Sequence, residues 1–216
     1  EEDILTSTNL IEQGVVITRL LESIIVTPGV KLDDLILGDK NAIMIGTRIL
    51  GYGSKYDILL TDPDSQERVE YAVDLSKLGN KPIDVEGYEN GNNFEYTLPN
   101  SKRVLKFKLL THGDEKKVSE IQKDYEKVEQ LTGVSHELTT RLKYQIQSVD
   151  GNTDQKFIDN FVDNEFLALD TREFRKHLLL INPDIDLSFE YTSQQGNKHK
   201  IDIPLGLDFF WPAGDK

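Results

Sequence analysis

Apolar positions change their period several times along the chain, and each change predicts a different element. Leu10, Ile17, Leu21 and Ile24 recur at helical spacing, with Glu12, Arg19 and Glu22 left for a wet face, so Asn9 to Val26 reads as an amphipathic helix ended by Pro28-Gly29. Leu32 to Leu37 follows as a turn or short helix. The next run, Asp39 to Gly51, is apolar on nearly all sides through Ala42, Ile43, Met44, Ile45, Ile49 and Leu50. It predicts a walled-in helix at the centre of the fold, with Asp39 as N-cap, Gly51 as the left-handed terminator and Gly46 allowing a close backbone approach. Beyond Gly53 the period falls to two: Ile58 and Leu60 answer Val69, Tyr71 and Val73 across Thr61-Asp62-Pro63-Asp64-Ser65-Gln66, which predicts a hairpin.

Gly79 to Asn93, rich in Gly, Asn and Pro, reads as a loop. A second hairpin pairs Phe94, Tyr96 and Leu98 with the stretch 104–109, whose buried phase is either Val104, Lys106 and Lys108 or Leu105, Phe107 and Leu109. Asp114 to Leu131 is a polar helix with one narrow apolar stripe of Val118, Ile121, Tyr125, Val128 and Leu131. A helix carrying Leu138, Leu142 and Ile146 follows, then one marked by Phe157, Ile158, Phe161 and Val162. A further helix opens on the capping-box pattern Asp170-Thr171-Arg172-Glu173 and ends before Asn182-Pro183. The third hairpin sets Leu187, Phe189 and Tyr191 against Ile201, Ile203 and Leu205. Together these elements predict an α+β protein with a helical core and short antiparallel hairpins. They divide into a helical segment at 1–53, a hairpin region at 54–112, a helical region at 113–182 and a hairpin with an aromatic tail at 183–216, in one or two compact domains. The two outer hairpins resemble each other loosely, as a faint internal repeat or by chance.

Composition narrows the function classes. With 216 residues, 38% hydrophobic and 29% charged, the chain can bury a core without staples, and no apolar run approaches the roughly 18 residues of a membrane span. A net charge of −13 argues against nucleic-acid binding, which needs clustered Lys and Arg to displace phosphate counterions. The absence of cysteine excludes disulfides, thiolate metal sites and a cysteine nucleophile. The chain begins at Glu1 and not Met, which leaves room for upstream residues.

Candidate chemistry is sparse. His112-Gly113-Asp114-Glu115 groups an imidazole with two carboxylates, but acids at a helix start also serve the N-terminal dipole. Asp62-Pro63-Asp64 lacks the ligand spacing of a calcium loop. No phosphate loop, dinucleotide fingerprint or nucleophile elbow occurs. A small metal-dependent hydrolase would require Asp62, Asp64, His112, Asp114 or Glu115 to converge in a cleft.

Glu2-Asp3-Ile4-Leu5-Thr6-Ser7, Leu37-Gly38-Asp39-Lys40 to Arg48, Gly51-Tyr52-Gly53, Leu98-Pro99, Leu109-Leu110-Thr111 to Asp114-Glu115 and the closing Phe209-Phe210-Trp211-Pro212 run in order through most of the chain. In this combination the sequence resembles the T-even-like baseplate hub assembly proteins of contractile-tailed bacteriophages. The resemblance implies a non-enzymatic protein that helps build the tail baseplate, or stays in it, by binding other baseplate or tail proteins. It would work in the host cytoplasm during assembly, or reside in the virion tail. It also implies zinc-ribbon-like outer hairpins, from which this sequence departs: Asp62, Ser65, Ser193 and Gly196 stand at the expected cysteine positions, so the hairpins read as degenerate and neither metal nor cofactor is expected. The candidate partner-binding residues are Phe209, Phe210 and Trp211, with Val118, Ile121, Tyr125 and Val128 of the polar helix. For the aromatic tail, burial in the chain's own core is the equal alternative, and for the helix it is packing on its own domain. Trp211→Ala is expected to weaken partner binding without unfolding the protein.

Overall fold

A computed structural model describes residues 15–83, 88–132, 136–205 and 209–210. The chain divides into two compact units, one of residues 1–32, 38–81 and 184–216, the other of residues 33–37 and 82–183.

In the first unit, helix α1 (Val16–Ile24) buries Val16, Leu20 and Leu21. That stripe lies beside the expected one, with Leu21 common to both; Leu10 falls outside the described residues. Helix α2 (Leu37–Tyr52) corrects the expectation of a helix buried all round. Met44, Ile45 and Arg48 are buried, being one face at i, i+1 and i+4, while Ala42 is exposed and Leu50 is 90% exposed. Asp39 sits inside the first turn and not at the cap. The left-handed terminator is Gly53 (φ 83°), whose N–H donates to the Ile49 carbonyl at 2.9 Å, and not Gly51, which is still helical. A side chain at Gly46 would meet nothing within 4 Å, so no backbone presses against it.

Strands β1 (Lys55–Thr61) and β2 (Arg68–Asp74) form the first hairpin in the register Ile58 to Tyr71, burying Tyr56, Ile58, Leu60 and Val73. Strands β6 (Ser188–Thr192) and β7 (Lys198–Asp202) form the last, pairing Tyr191 with His199. The ring of Tyr71 stacks on Phe189 at 5.2 Å and meets Tyr191 edge-on at 5.3 Å, so the two hairpins share one aromatic interface. Their turns differ. Asp62 N–H donates to the Glu67 carbonyl, whereas Ser193 N–H donates to the Asn197 carbonyl, one residue closer in sequence. The left-handed position is Gln66 (φ 61°) in one turn and Gly196 (φ 86°) in the other. Any repeat is thus one of strands and not of turn geometry.

In the second unit a three-stranded antiparallel sheet runs β3 (Phe94–Thr97), β4 (Val104–Phe107), β5 (Ile146–Val149). Of the two phases open for β4, the buried one is Leu105 and Phe107, both fully buried. Ile146 begins β5, so it is not the last apolar residue of a helix as expected. Around the sheet lie α3 (His112–Thr132), α4 (Glu137–Gln145), α5 (Gln155–Asn160), a π-helical turn (Phe161–Glu165) and α6 (Ala168–Ile181). Leu98, Leu105, Phe107, Val149, Ile158, Phe161 and Phe174 form the centre of this unit's core, and each fully buried large apolar side chain contributes roughly 1.5–3 kcal/mol relative to exposure.

Asp170 is not the helix cap that its sequence context predicts. It lies within α6, is 0% exposed, and its carboxylate accepts from Asn100 N–H at 2.8 Å, Asn100 Nδ2 at 2.9 Å and Ser101 N–H at 2.9 Å. The helix thereby holds the β3–β4 turn. Burial pushes this carboxyl up, but the bonds from Ser101 and Asn100 outweigh it and hold the pKa at about 2.

Candidate functional site

His112, Asp114 and Glu115, the grouping with most chemical promise, build the start of α3. Thr111 is its cap: Asp114 N–H donates to Thr111 Oγ1 at 3.3 Å, and Asp114 Oδ2 accepts from Thr111 N–H at 3.2 Å. This is a reciprocal capping box closed by an aspartate. The same Oδ2 accepts from Lys108 Nζ at 2.7 Å. Burial of Asp114 raises its pKa and these bonds more than offset it, so the carboxyl titrates below its ordinary range. Glu115 pairs with Arg141, which also reaches Glu137 at 3.1 Å. Helix initiation thus employs Asp114, and an ion pair between α3 and α4 employs Glu115.

Asp62 and Asp64 belong to the first unit and His112, Asp114 and Glu115 to the second. Asp62 Oδ1 accepts from Asp64 N–H at 2.8 Å and Ser65 N–H at 3.0 Å, an Asx turn, while Oδ2 accepts from Tyr191 Oη at 2.6 Å. Asp64 accepts from Ser193 Oγ at 2.5 Å and Asn197 Nδ2 at 3.0 Å and lies 3.1 Å from His199 Nε2. The Tyr191 bond, then the Ser65 N–H bond, hold the Asp62 pKa at about 2; Ser193 leads the groups that lower Asp64. These turns are where the resemblance implies zinc. The donor set does not fit, since there are no thiolates and both carboxylates are engaged in cross-hairpin bonds. Among the described residues, no group of three or more His, Cys, Asp or Glu could hold a metal ion.

The candidate partner-binding residues fall into three environments. Phe209 and Phe210 are 0% and 1% exposed, and Phe209 meets the Tyr56 ring edge-on at 5.0 Å. Of the two alternatives left open for the tail, these residues take the core plug. Trp211 lies outside the described residues. On α3, Val118 is 1% exposed, Ile121 is half-buried and Tyr125 is exposed with its ring 5.0 Å from that of His136. The Val128 side chain lies outside what is described.

Exposed apolar surface missed by the sequence reading lies instead on α4 and α6. A groove of about 630 Å³ in the second unit has Leu109, Leu110 and Leu142 as its buried floor and Leu138, Leu178 and Leu179 on its walls. Leu138 is 40% and Leu179 78% exposed, with Leu180 beside it at 62%. Arg141, Glu115 and Glu137 form a mutually paired rim on the α4 side. Arg175, on the α6 side, is exposed and makes no ion pair or hydrogen bond among the described residues. The sequence signal was Leu178-Leu179-Leu180, three leucines in a row, which a single helix face cannot bury.

A family model described as T4 bacteriophage base plate protein matches residues 1–211. No curated protein and no solved structure matches the chain. None of the helices among the described residues is long and apolar enough to cross a membrane.

Proposed function

Because the chain belongs to the T4 bacteriophage base plate protein family, we propose that it is a non-enzymatic assembly factor of the tail baseplate hub that works by binding other baseplate proteins. The observation that carries this reading is how its side chains are employed. The carboxylates singled out for chemistry are engaged in a helix cap, an inter-helix ion pair and cross-hairpin bonds, whereas large leucines on α4 and α6 remain exposed around an open groove. Recognition, and not turnover, is what such a surface supports. The protein would act in the host cytoplasm while the baseplate forms.

Mass spectrometry of purified virions, beside a tagged pull-down from infected cells during assembly, tests the reading. Recovery with hub or wedge proteins in the pull-down, and absence from virions, is the expected result. Fixed stoichiometry in both would make the chain a permanent baseplate subunit of the virion. Absence from both would overturn the proposal.

A further inference from the structure

The groove of the second unit has walls with helical periodicity. From α6 come Arg175, Leu178 and Leu179, at i, i+3 and i+4, with Asn182 at its C-cap; from α4 come Leu138 and Gln145, seven residues apart, with Leu142 of the floor between them at i+4. The α4 wall spans seven residue steps, about 10 Å at helical rise. That is the length of two turns. Surfaces built from such ridges take another helix by interdigitation, and the floor of Leu109, Leu110 and Leu142 supplies the apolar bed that its anchors would fill.

Charge selects among helices. The protein is strongly acidic at −13, yet the groove charge without a partner among the described residues is a cation. Arg141 is already held by Glu115 and Glu137, so Arg175 is the rim guanidinium left for an outside carboxylate. We propose that this groove binds a two-turn amphipathic helix of another baseplate protein, with leucine-like anchors at i, i+3 or i+4, and i+7 and an acidic residue set against Arg175. The inference rests on the binding role proposed above and adds the surface and the chemistry of its partner.

The test uses fluorescein-labelled synthetic peptides covering the amphipathic helices of baseplate proteins from the same phage, titrated with the full chain and read by fluorescence anisotropy. At least one acidic amphipathic peptide is expected to bind. Leu179→Glu places a charge on an exposed wall position and should abolish that binding with an unchanged melting curve. Arg175→Glu should weaken it about tenfold, and reversing the peptide's acidic residue to lysine should restore it. Leu169→Glu, exposed on the same helix but outside the groove, should change nothing. The inference is overturned if no peptide binds, or if binding ignores Leu179→Glu. It is also overturned if light scattering shows a dimer that Leu179→Glu dissociates, since a second copy would then fill the groove. If the chain is absent from both virions and assembly complexes, the assembly role itself fails. If Leu179→Glu protein is still recovered with its partners, only the groove assignment fails.

Discussion

The Tyr191 hydroxyl donates to Asp62 Oδ2 at 2.6 Å, joining strand β6 to the β1–β2 turn across 129 residues of sequence. Both residues are buried, at 5% and 1% exposure, so neither group has bulk water as a substitute partner. Ser193 and Asn197 repeat the connection onto Asp64. Where the resemblance implies a metal, oxygen-to-oxygen and nitrogen-to-oxygen hydrogen bonds clasp the two hairpins.

Tyr191→Phe removes the donor and leaves the Asp62 oxygen buried with one partner fewer. It should lower Tm by roughly 3–10 °C while leaving the stacking of Tyr71 on Phe189 intact. The pH profile should change with it. Asp62 titrates at about 2 in the fold against an ordinary 3.8, so its contribution is present above pH 3.8 and disappears as pH falls toward 2. Tyr191 is raised from 10.0 to about 12, chiefly by its bond to Asp62 and then by burial, so its contribution is present below pH 10 and disappears as pH rises toward 12. Thermal melts across both windows should show shallower acid loss in the variant and no alkaline loss from this pair. Identical profiles for variant and parent would show that the bond carries no stability.

Asp170 is the other carboxylate on which distant segments depend, because three donors from Asn100 and Ser101 converge on it. Asp170→Ala leaves two backbone N–H groups without acceptors and should cost about 2–4 kcal/mol in chemical denaturation. Asp170→Asn, which keeps one acceptor oxygen, should cost less. Equal costs for the two variants would mean that side-chain volume, and not the bonds, holds the β3–β4 turn.

The outer hairpins and the central hairpin were legible because each sets two period-two stretches on either side of a polar turn, and most helices because period 3.6 repeats over more than one turn. Strand β5 was not, since Ile146 to Val149 is four residues joined without a turn to α4, and Ile146 fits the helical stripe of Leu138 and Leu142 equally well. The role of Asp170 was not legible for a related reason: a local capping pattern is visible in sequence, whereas a bond to a turn 70 residues away is not. The one-sided burial of α2 was not legible because a run of apolar residues does not say which helix face packs; Leu50 and Ala42 fall on the open side. The Thr111–Asp114 cap was half legible, as an acidic helix start. The groove was not legible, because its floor at Leu109 and Leu110 and its walls on α4 and α6 come together only through tertiary packing.

Zinc retention separates this chain from the metal-bearing hairpins that the resemblance implies. Elemental analysis of protein purified without chelator is expected to return no stoichiometric zinc, and treatment with EDTA should leave the melting curve unchanged. A carboxylate such as Asp62 can ligate zinc, but here it would have to give up Tyr191 and two backbone donors, exchanging satisfied bonds for a site without thiolates. Zinc at one equivalent, lost together with several degrees of Tm on chelation, would defeat this reading.

Phe209 distinguishes core from interface at the end of the chain. Its ring lies edge-on to Tyr56 at 5.0 Å and to Phe210 at 5.2 Å, and both phenylalanines are essentially inaccessible. Phe209→Ala should therefore create a cavity beside β1 and cost about 3–5 kcal/mol, seen as a large fall in Tm of the isolated protein. Groove binding, measured with the labelled peptides at a temperature where the variant is still folded, should be unchanged. Leu179→Glu should give the opposite result, with Tm preserved and peptide binding lost. If Phe209→Ala instead melts like the parent and fails to recover baseplate partners in the pull-down, the aromatic tail is a docking element and leaves its place against Tyr56 to bind.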